Sequence, residues 1–177
     1  MEIKVINETL VNLLKSYKEA LLGYSNEQFN FKQDADIWSL GQMYEHLTIS
    51  GNFFFMKNIK YCLEHRNGET GGEMNENGKK VFSYNRFPPV KVKVPGGGPQ
   101  PVAQAKELYA SAFDLLVAQL NSQVEKIEND PGDFKTQHPV FSWHSAKEWL
   151  QSFEMHHRHH LRQKAELEGY LAEKAIV

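Results

Sequence analysis

The chain has 177 residues, 41% of them hydrophobic, and its 20 Lys and Arg against 22 Asp and Glu give a net charge of −2. This length predicts one domain, residues 1–177, with a sizeable core, and the balanced charge without a basic stripe argues against binding to nucleic acid. Cys62 is the only cysteine and no apolar stretch approaches the roughly 20 residues of a membrane span, so we expect a cytoplasmic protein without a disulfide or a membrane partner.

Helical periodicity begins at the N-terminus. Helix 1 is predicted over about residues 2–22, because apolar residues recur at spacings of three and four and Gly23 follows them. Its apolar face comprises Ile3, Ile6, Leu10, Leu13, Tyr17 and Leu21. Helix 2 is predicted to begin after Ser39, which forms a capping-box pattern with Gln42, and to continue to about Arg66.

The segment from residue 67 to residue 101 is rich in glycine and proline, a composition that excludes a bundle helix. It is also long, because most connections between helices span about two to eight residues. A crossover between two parallel neighbouring helices needs this length, and such loops often cover a site. The VKVKV stretch, residues 90–94, has the composition of a short strand.

Two further helices follow this connection. Helix 3 is predicted from about Pro101 to Ile127, with apolar positions at Leu108, Leu115, Val117, Leu120 and Val124. Ser145 and Glu148 form a second capping-box pattern, and helix 4 is predicted to continue to about Glu173. The sequence therefore predicts an all-α fold, a four-helix bundle with a long crossover connection between helices 2 and 3.

Helix 4 contains four closely spaced histidines. His156 and His160 are four residues apart, which places both imidazoles on nearly the same helix face within reach of one ion. His157 and His159 diverge from this face, and we expect them to be solvated or to support the ligands from outside. The inward seam is predicted to comprise Trp149, Phe153, His156, His160, Gln163 and Leu167.

A third candidate ligand, His46, lies on helix 2. It shares a helix face with Gln42, Met43, Ser50 and Phe53, and we expect Met43 and Phe53 to anchor that face inward. Three neutral nitrogens with open positions are typical of a reactive metal site, although isolated histidines in bundles are usually ordinary core or boundary residues. Cys62 and His65 also have ligand spacing, but they lie roughly 24 Å along the helix from His46 and cannot share its ion.

Three segments together resemble the DinB-like and YfiT-like superfamily of metal-binding four-helix bundles. WSLGQMYEHL, residues 38–47, is similar to the start of that family's second helix with its histidine. HPVFSW, residues 138–143, is similar to its loop before the last helix, and HHRHHLRQ, residues 156–163, is similar to its final signature.

The resemblance implies that His46, His156 and His160 bind one divalent ion, zinc or nickel, and that Gln163 matches a glutamine of the family. Ser142 departs from the pattern, since a glycine is usual there, which puts the shape of that loop in question. The resemblance further implies a small-molecule substrate, a low-molecular-weight thiol as cosubstrate in some members, and a homodimer.

The leading functional hypothesis is a thiol-dependent transferase whose metal acts as a Lewis acid. A metal-dependent hydrolase is the alternative if water takes the open position, and a non-catalytic metal-binding stress-response protein or a partner-binding scaffold stays open as well. No general base is assigned, because Glu45 and Glu154 each point away from the neighbouring ligand on their helices.

Overall fold

The computed structural model describes residues 2–88 and 100–176 and is mostly helical, which confirms the predicted all-α class. The helices are α1 Ile3–Gly23, α2 Asn26–Asn30, α3 Leu40–Ile49, a π-helical segment Ser50–Phe55, α4 Met56–Leu63, α5 Glu76–Tyr84, α6 Lys106–Asn129 and α7 Ala146–Glu173. A small antiparallel sheet contains β1 Glu69–Thr70, β2 Phe134–His138 and β3 Ser142–His144, in the order β1-β2-β3. Within the described ranges, no helix is long and apolar enough to cross a membrane.

The core lies mainly between five helices, α1, α3, α4, α6 and α7. Helix α1 packs against α6 and α7, and α3 and α4 pack against the same two helices from another side. Fully buried side chains line the contact, among them Leu10, Leu14, Leu47, Ile59, Leu116, Leu120 and Trp149. Two buried hydroxyls tie the helices together: Tyr17 donates to the carbonyl of His157 at 2.9 Å, and Tyr44 donates to that of Tyr17 at 2.8 Å. These bonds fix how α1 and α3 lie against α7.

The predicted second helix is interrupted by the π-helical segment. There the Met56 amide donates to the carbonyl of Gly51, five residues earlier, so the turn is wider than an α-helical one. The wider turn changes the directions in which its side chains point around the helix axis. Phe53, which we expected to face inward, is therefore 71% exposed, whereas Phe55 is buried and stacks on Phe153 with ring centroids 4.9 Å apart.

The connection from residue 67 to residue 101 contains regular structure that its composition did not predict. Strand β1 pairs with β2, and Asn75 caps α5 by accepting a hydrogen bond from the Gly78 amide at 2.9 Å. Gly78 is buried because this helix lies close to Met74 and Phe141, leaving no room for a side chain. The strand expected at residues 90–94 lies outside the described residues.

The connection starts at one end of the packed helices and finishes at the other. Strand β1 follows α4 and pairs with β2, which follows α6. At the other end, Trp38 Nε1 donates to Gln100 Oε1 at 2.7 Å and Gln42 Nε2 donates to the Pro101 carbonyl at 2.9 Å, beside the start of α3. Helix α6 therefore begins near the beginning of α3, and the two run in the same direction.

The buried face of α6 differs from the predicted one. The helix begins at Lys106 rather than near Pro101, and Leu108 and Leu115 are 59% and 54% exposed. Its inward positions are Tyr109, Phe113, Leu116, Leu120 and Ile127. The core positions belong instead to residues next to two of the predicted ones, Tyr109 after Leu108 and Leu116 after Leu115.

Close packing at the first turn of α3 gives a test of this fold. A Cβ at Gly41 would lie 2.6 Å from the Cβ of Ala103 and 2.9 Å from Cε1 of Phe29. Gly41→Ala should lower the free energy of unfolding, because overpacking costs about 1–3 kcal/mol and exceeds the helix-propensity gain of about 0.5–1 kcal/mol. Gly169→Ala in α7 has no neighbour within 4 Å and should instead stabilise. Urea denaturation measures both, and a Gly41→Ala protein as stable as Gly169→Ala would contradict the packing.

Candidate metal centre

The structure brings His46 of α3 together with His156 and His160 of α7. The Nε2 atoms of His46 and His156 are 3.0 Å apart, and those of His156 and His160 are 3.3 Å apart. One ligand atom from each of the three residues lies within 4.8 Å of the others, and all three side chains are half-buried. This group could hold a metal ion.

The spacing of the three nitrogens fits one shared ion. Imidazole nitrogens bind zinc at about 2.0–2.1 Å, so two ligands at tetrahedral or octahedral angles lie roughly 2.9–3.4 Å apart. Both short Nε2 separations fall in this range. A neutral imidazole carries a single N–H proton, so three of them cannot form a hydrogen bond at every one of these nitrogen–nitrogen contacts. A cation instead accepts a lone pair from each of the three nitrogens.

Burial keeps these imidazoles in the form that can bind a metal. It lowers the pKa of His46 to about 4 and, together with the neighbouring histidines, lowers the pKa of His160 to about 3. The pKa of His156 is also well below its usual range, mainly because the residue is buried and then because other histidines surround it. Protons therefore compete little for the three nitrogens near neutral pH.

Gln163 orients one of the three ligands. Its Oε1 lies 2.7 Å from Nδ1 of His160. A carboxamide oxygen only accepts hydrogen bonds, so Nδ1 of His160 carries the proton and Nε2 keeps its lone pair for the centre. Partners of this kind fix the ring orientation and the tautomer of metal ligands.

Aromatic rings flank the centre on two sides. The Trp38 ring lies 5.3 Å from that of His46, and its indole nitrogen is held by Gln100 at the end of the long connection. On the other side, Phe55 of the π-helical segment lies 5.1 Å from the His156 ring. The centre is therefore bordered by apolar surface from two separate parts of the chain.

The two remaining histidines of this helix have different surroundings. His157 was expected to be solvated or to support the ligands, but it is fully buried, with Nδ1 3.3 Å from the Phe153 carbonyl and its ring against Tyr17. It faces α1, which covers this side of α7, and His157 is therefore a core residue. His159 is half-buried and faces Phe87, with ring centroids 6.2 Å apart.

Other titratable candidates near these helices are engaged elsewhere. Glu154 is buried and accepts two hydrogen bonds from Arg158, at 2.6 and 2.9 Å. Cys62 is buried beside Thr136, and burial raises the pKa of its thiol. Neither side chain is poised to act as a base or nucleophile at the centre.

A second pair of histidines lies in the β2–β3 hairpin, His138 at the start of the HPVFSW segment and His144 directly after it. Nδ1 of His138 accepts hydrogen bonds from the amides of Val140 and Phe141, at 3.1 and 3.2 Å. His144 is fully buried 5.0 Å from the His138 ring, and neither of its ring nitrogens has a hydrogen-bond partner within the described residues. Burial lowers the pKa of His138 to about 3 and lowers that of His144 as well.

A comparison with protein families places these observations in context. The model of the DinB superfamily matches residues 9–163, a range that contains all three clustered histidines and Gln163. No curated protein matches the chain.

If the clustered histidines hold one ion, removing any of them should release most of it. His46→Ala, His156→Ala and His160→Ala should each lose tight zinc binding, and Gln163→Leu should weaken it by about 10–100-fold because the His160 ring is no longer oriented. His159→Ala is the matched control and should retain the ion. Competition with a chromophoric chelator at neutral pH measures these affinities. A His160→Ala protein that keeps a full equivalent of tightly held zinc, or a wild type that never holds any, would refute the assignment.

The buried hairpin histidines predict a loss of stability in acid. In the unfolded chain a histidine has a pKa of about 6.5, so below that value the unfolded state binds protons that buried His144 does not. Its contribution is fully present above the unfolded pKa and is lost as pH falls toward the folded one, by up to about 1.4 kcal/mol per pH unit. His144→Phe should therefore flatten the dependence of the unfolding free energy on pH between about pH 7 and pH 5. Equal slopes for both proteins in urea titrations would contradict this.

Proposed function

The chain belongs to the DinB superfamily, and from that premise we propose that it is a metal-dependent enzyme that transfers a group to a low-molecular-weight thiol. The observation that carries the proposal is the convergence of three imidazole nitrogens in their neutral form at a half-buried position. We also propose that the protein is a homodimer and that it is located in the cytoplasm, where small thiols stay reduced.

His46, His156 and His160 are proposed to hold one zinc or nickel ion, since neutral imidazoles suit these metals. Three protein ligands leave at least one position open, as in catalytic rather than structural sites. The chemistry that such an ion supplies is Lewis-acid activation, which lowers the pKa of a thiol or water entering the open position. A nucleophile can then form without a protein cysteine, in keeping with the buried position of Cys62.

The surrounding residues are proposed to prepare the site for this chemistry. Gln163 holds the His160 ring in one tautomer, which keeps the ligand set ready before a substrate arrives. Trp38 and Phe55 border the site with apolar surface, which would exclude water and receive the apolar part of an electrophile. Gln100 fixes the indole of Trp38, so the long connection shares in shaping the entrance.

A turnover assay separates this function from its alternatives. Zinc-loaded wild type should consume thiol from a panel of small thiols in the presence of an aromatic electrophile, faster than free zinc or metal-free protein does. His160→Ala should lose most of this rate because its ion is lost, whereas His159→Ala, which leaves the ligands intact, should retain its metal.

The kind of substrate that is turned over distinguishes a transferase from a hydrolase and from a non-catalytic metal-binding protein. Thiol-independent cleavage of ester or amide substrates by the zinc-loaded protein would favour the hydrolase. A fully loaded protein that turns over neither kind of substrate would contradict the enzyme proposal and favour the non-catalytic metal-binding protein.

A further inference from the structure

The dipeptide Asn-Gly occurs twice in the chain, once as Asn67 with Gly68 and once as Asn77 with Gly78. Asparagine is among the chemically labile residues of proteins. In this dipeptide the main-chain nitrogen of the glycine can attack the asparagine carboxamide, because glycine has no Cβ to shield that nitrogen. The structure places the two copies in different surroundings, so a difference in their reactivity would report on the fold.

The first copy lies in the exposed turn between α4 and β1. Asn67 has a φ of 53°, and His65 in the same turn has a φ of 51°. Asparagine adopts this left-handed conformation more readily than most residues, but the conformation is sparsely populated. Both Asn67 and Gly68 are exposed, and within the described residues no hydrogen bond holds the Asn67 carboxamide or the Gly68 amide. The two groups can therefore approach each other when the turn moves.

The second copy is held inside the first turn of α5. The Gly78 amide donates a hydrogen bond to Oδ1 of Asn75 at 2.9 Å. Gly78 is also buried, and a Cβ added to it would overlap the side chain of Met74. An amide that is bonded and packed in this way can attack Asn77 only after this turn of the helix opens. The fold therefore protects the second copy.

We propose that Asn67 is a site of spontaneous deamidation, a modification in which water is the co-reactant. The Gly68 nitrogen forms a bond to Cγ of Asn67, and the bond between Cγ and Nδ2 breaks. Nδ2 leaves as ammonia with the proton that the Gly68 amide gives up. Water then opens the resulting imide ring at either carbonyl carbon. Opening at Cγ gives aspartate and opening at the main-chain carbonyl gives isoaspartate, and no atom is oxidised or reduced.

Both products change the turn that leads into the small sheet. Each adds one negative charge to a chain whose net charge is −2. Isoaspartate also lengthens the main chain, because the chain then runs through Cγ. Gly68 has little room for this displacement, since a Cβ added to it would overlap the carbonyl oxygen of Lys135. The next residue, Glu69, pairs with Lys135 in the β1–β2 ladder, so isoaspartate weakens the pairing and aspartate does not.

Incubation of the full-length protein at neutral pH over several weeks, followed by peptide mass spectrometry with fragmentation, tests the site. Asn67 should deamidate at least about tenfold faster than Asn77, because Asn77 reacts only from a locally opened α5. In urea that unfolds the chain the two rates should become similar. Asn67→Gln should abolish most of the conversion, since the longer side chain closes a six-membered ring less readily, and the matched control Asn77→Gln should leave it unchanged.

Equal rates at the two positions of the folded protein would overturn the proposal, as would faster conversion of Asn77. A rate difference that persists in urea would also overturn it, because the neighbouring residues rather than the fold would then set the rates. The isolated isoaspartate form should unfold at a lower urea concentration than Asn67→Asp, which has the same charge and an unaltered main chain. Equal stabilities would contradict the effect on the sheet.

Discussion

The desolvation of three imidazoles is the constraint on which this structure depends. A buried nitrogen without a partner costs about 1–3 kcal/mol, so the Nε2 atoms of His46, His156 and His160 are buried at lower cost where they contact shared partners. These contacts align α3 with α7, with Nε2 separations of 3.0 and 3.3 Å. Tyr17 and Tyr44 reinforce the same alignment through buried hydrogen bonds to backbone carbonyls.

Two irregular segments follow from the need to enclose this centre. The π-helical segment turns Phe55 toward His156, which a continuous α-helix would not do at that position. The long connection runs between opposite ends of α4 and α6, and its two described ends reach the region of the centre. One end holds Trp38 through Gln100. At the other end Phe87 lies against His159, whose ring is 5.6 Å from that of His160.

Local rules account for the part of the structure that the sequence predicted. The capping boxes at Ser39 and Ser145 form as expected because they need only residues within one turn. Exposed Phe53 and buried His157 were mispredicted for another reason. The π-helical turn and the full enclosure of α7 arise from contacts between distant segments, which a single helix pattern does not contain. Helix α5 was missed because its glycine, Gly78, serves close packing there rather than a turn.

The most direct test of the account is the zinc X-ray absorption spectrum of the protein loaded with one equivalent of the ion. Convergence of His46, His156 and His160 predicts three imidazole nitrogens at about 2.0–2.1 Å, with the outer-shell scattering of their rings. A sulfur ligand at about 2.3 Å, or a first shell of oxygen atoms without imidazole scattering, would contradict it.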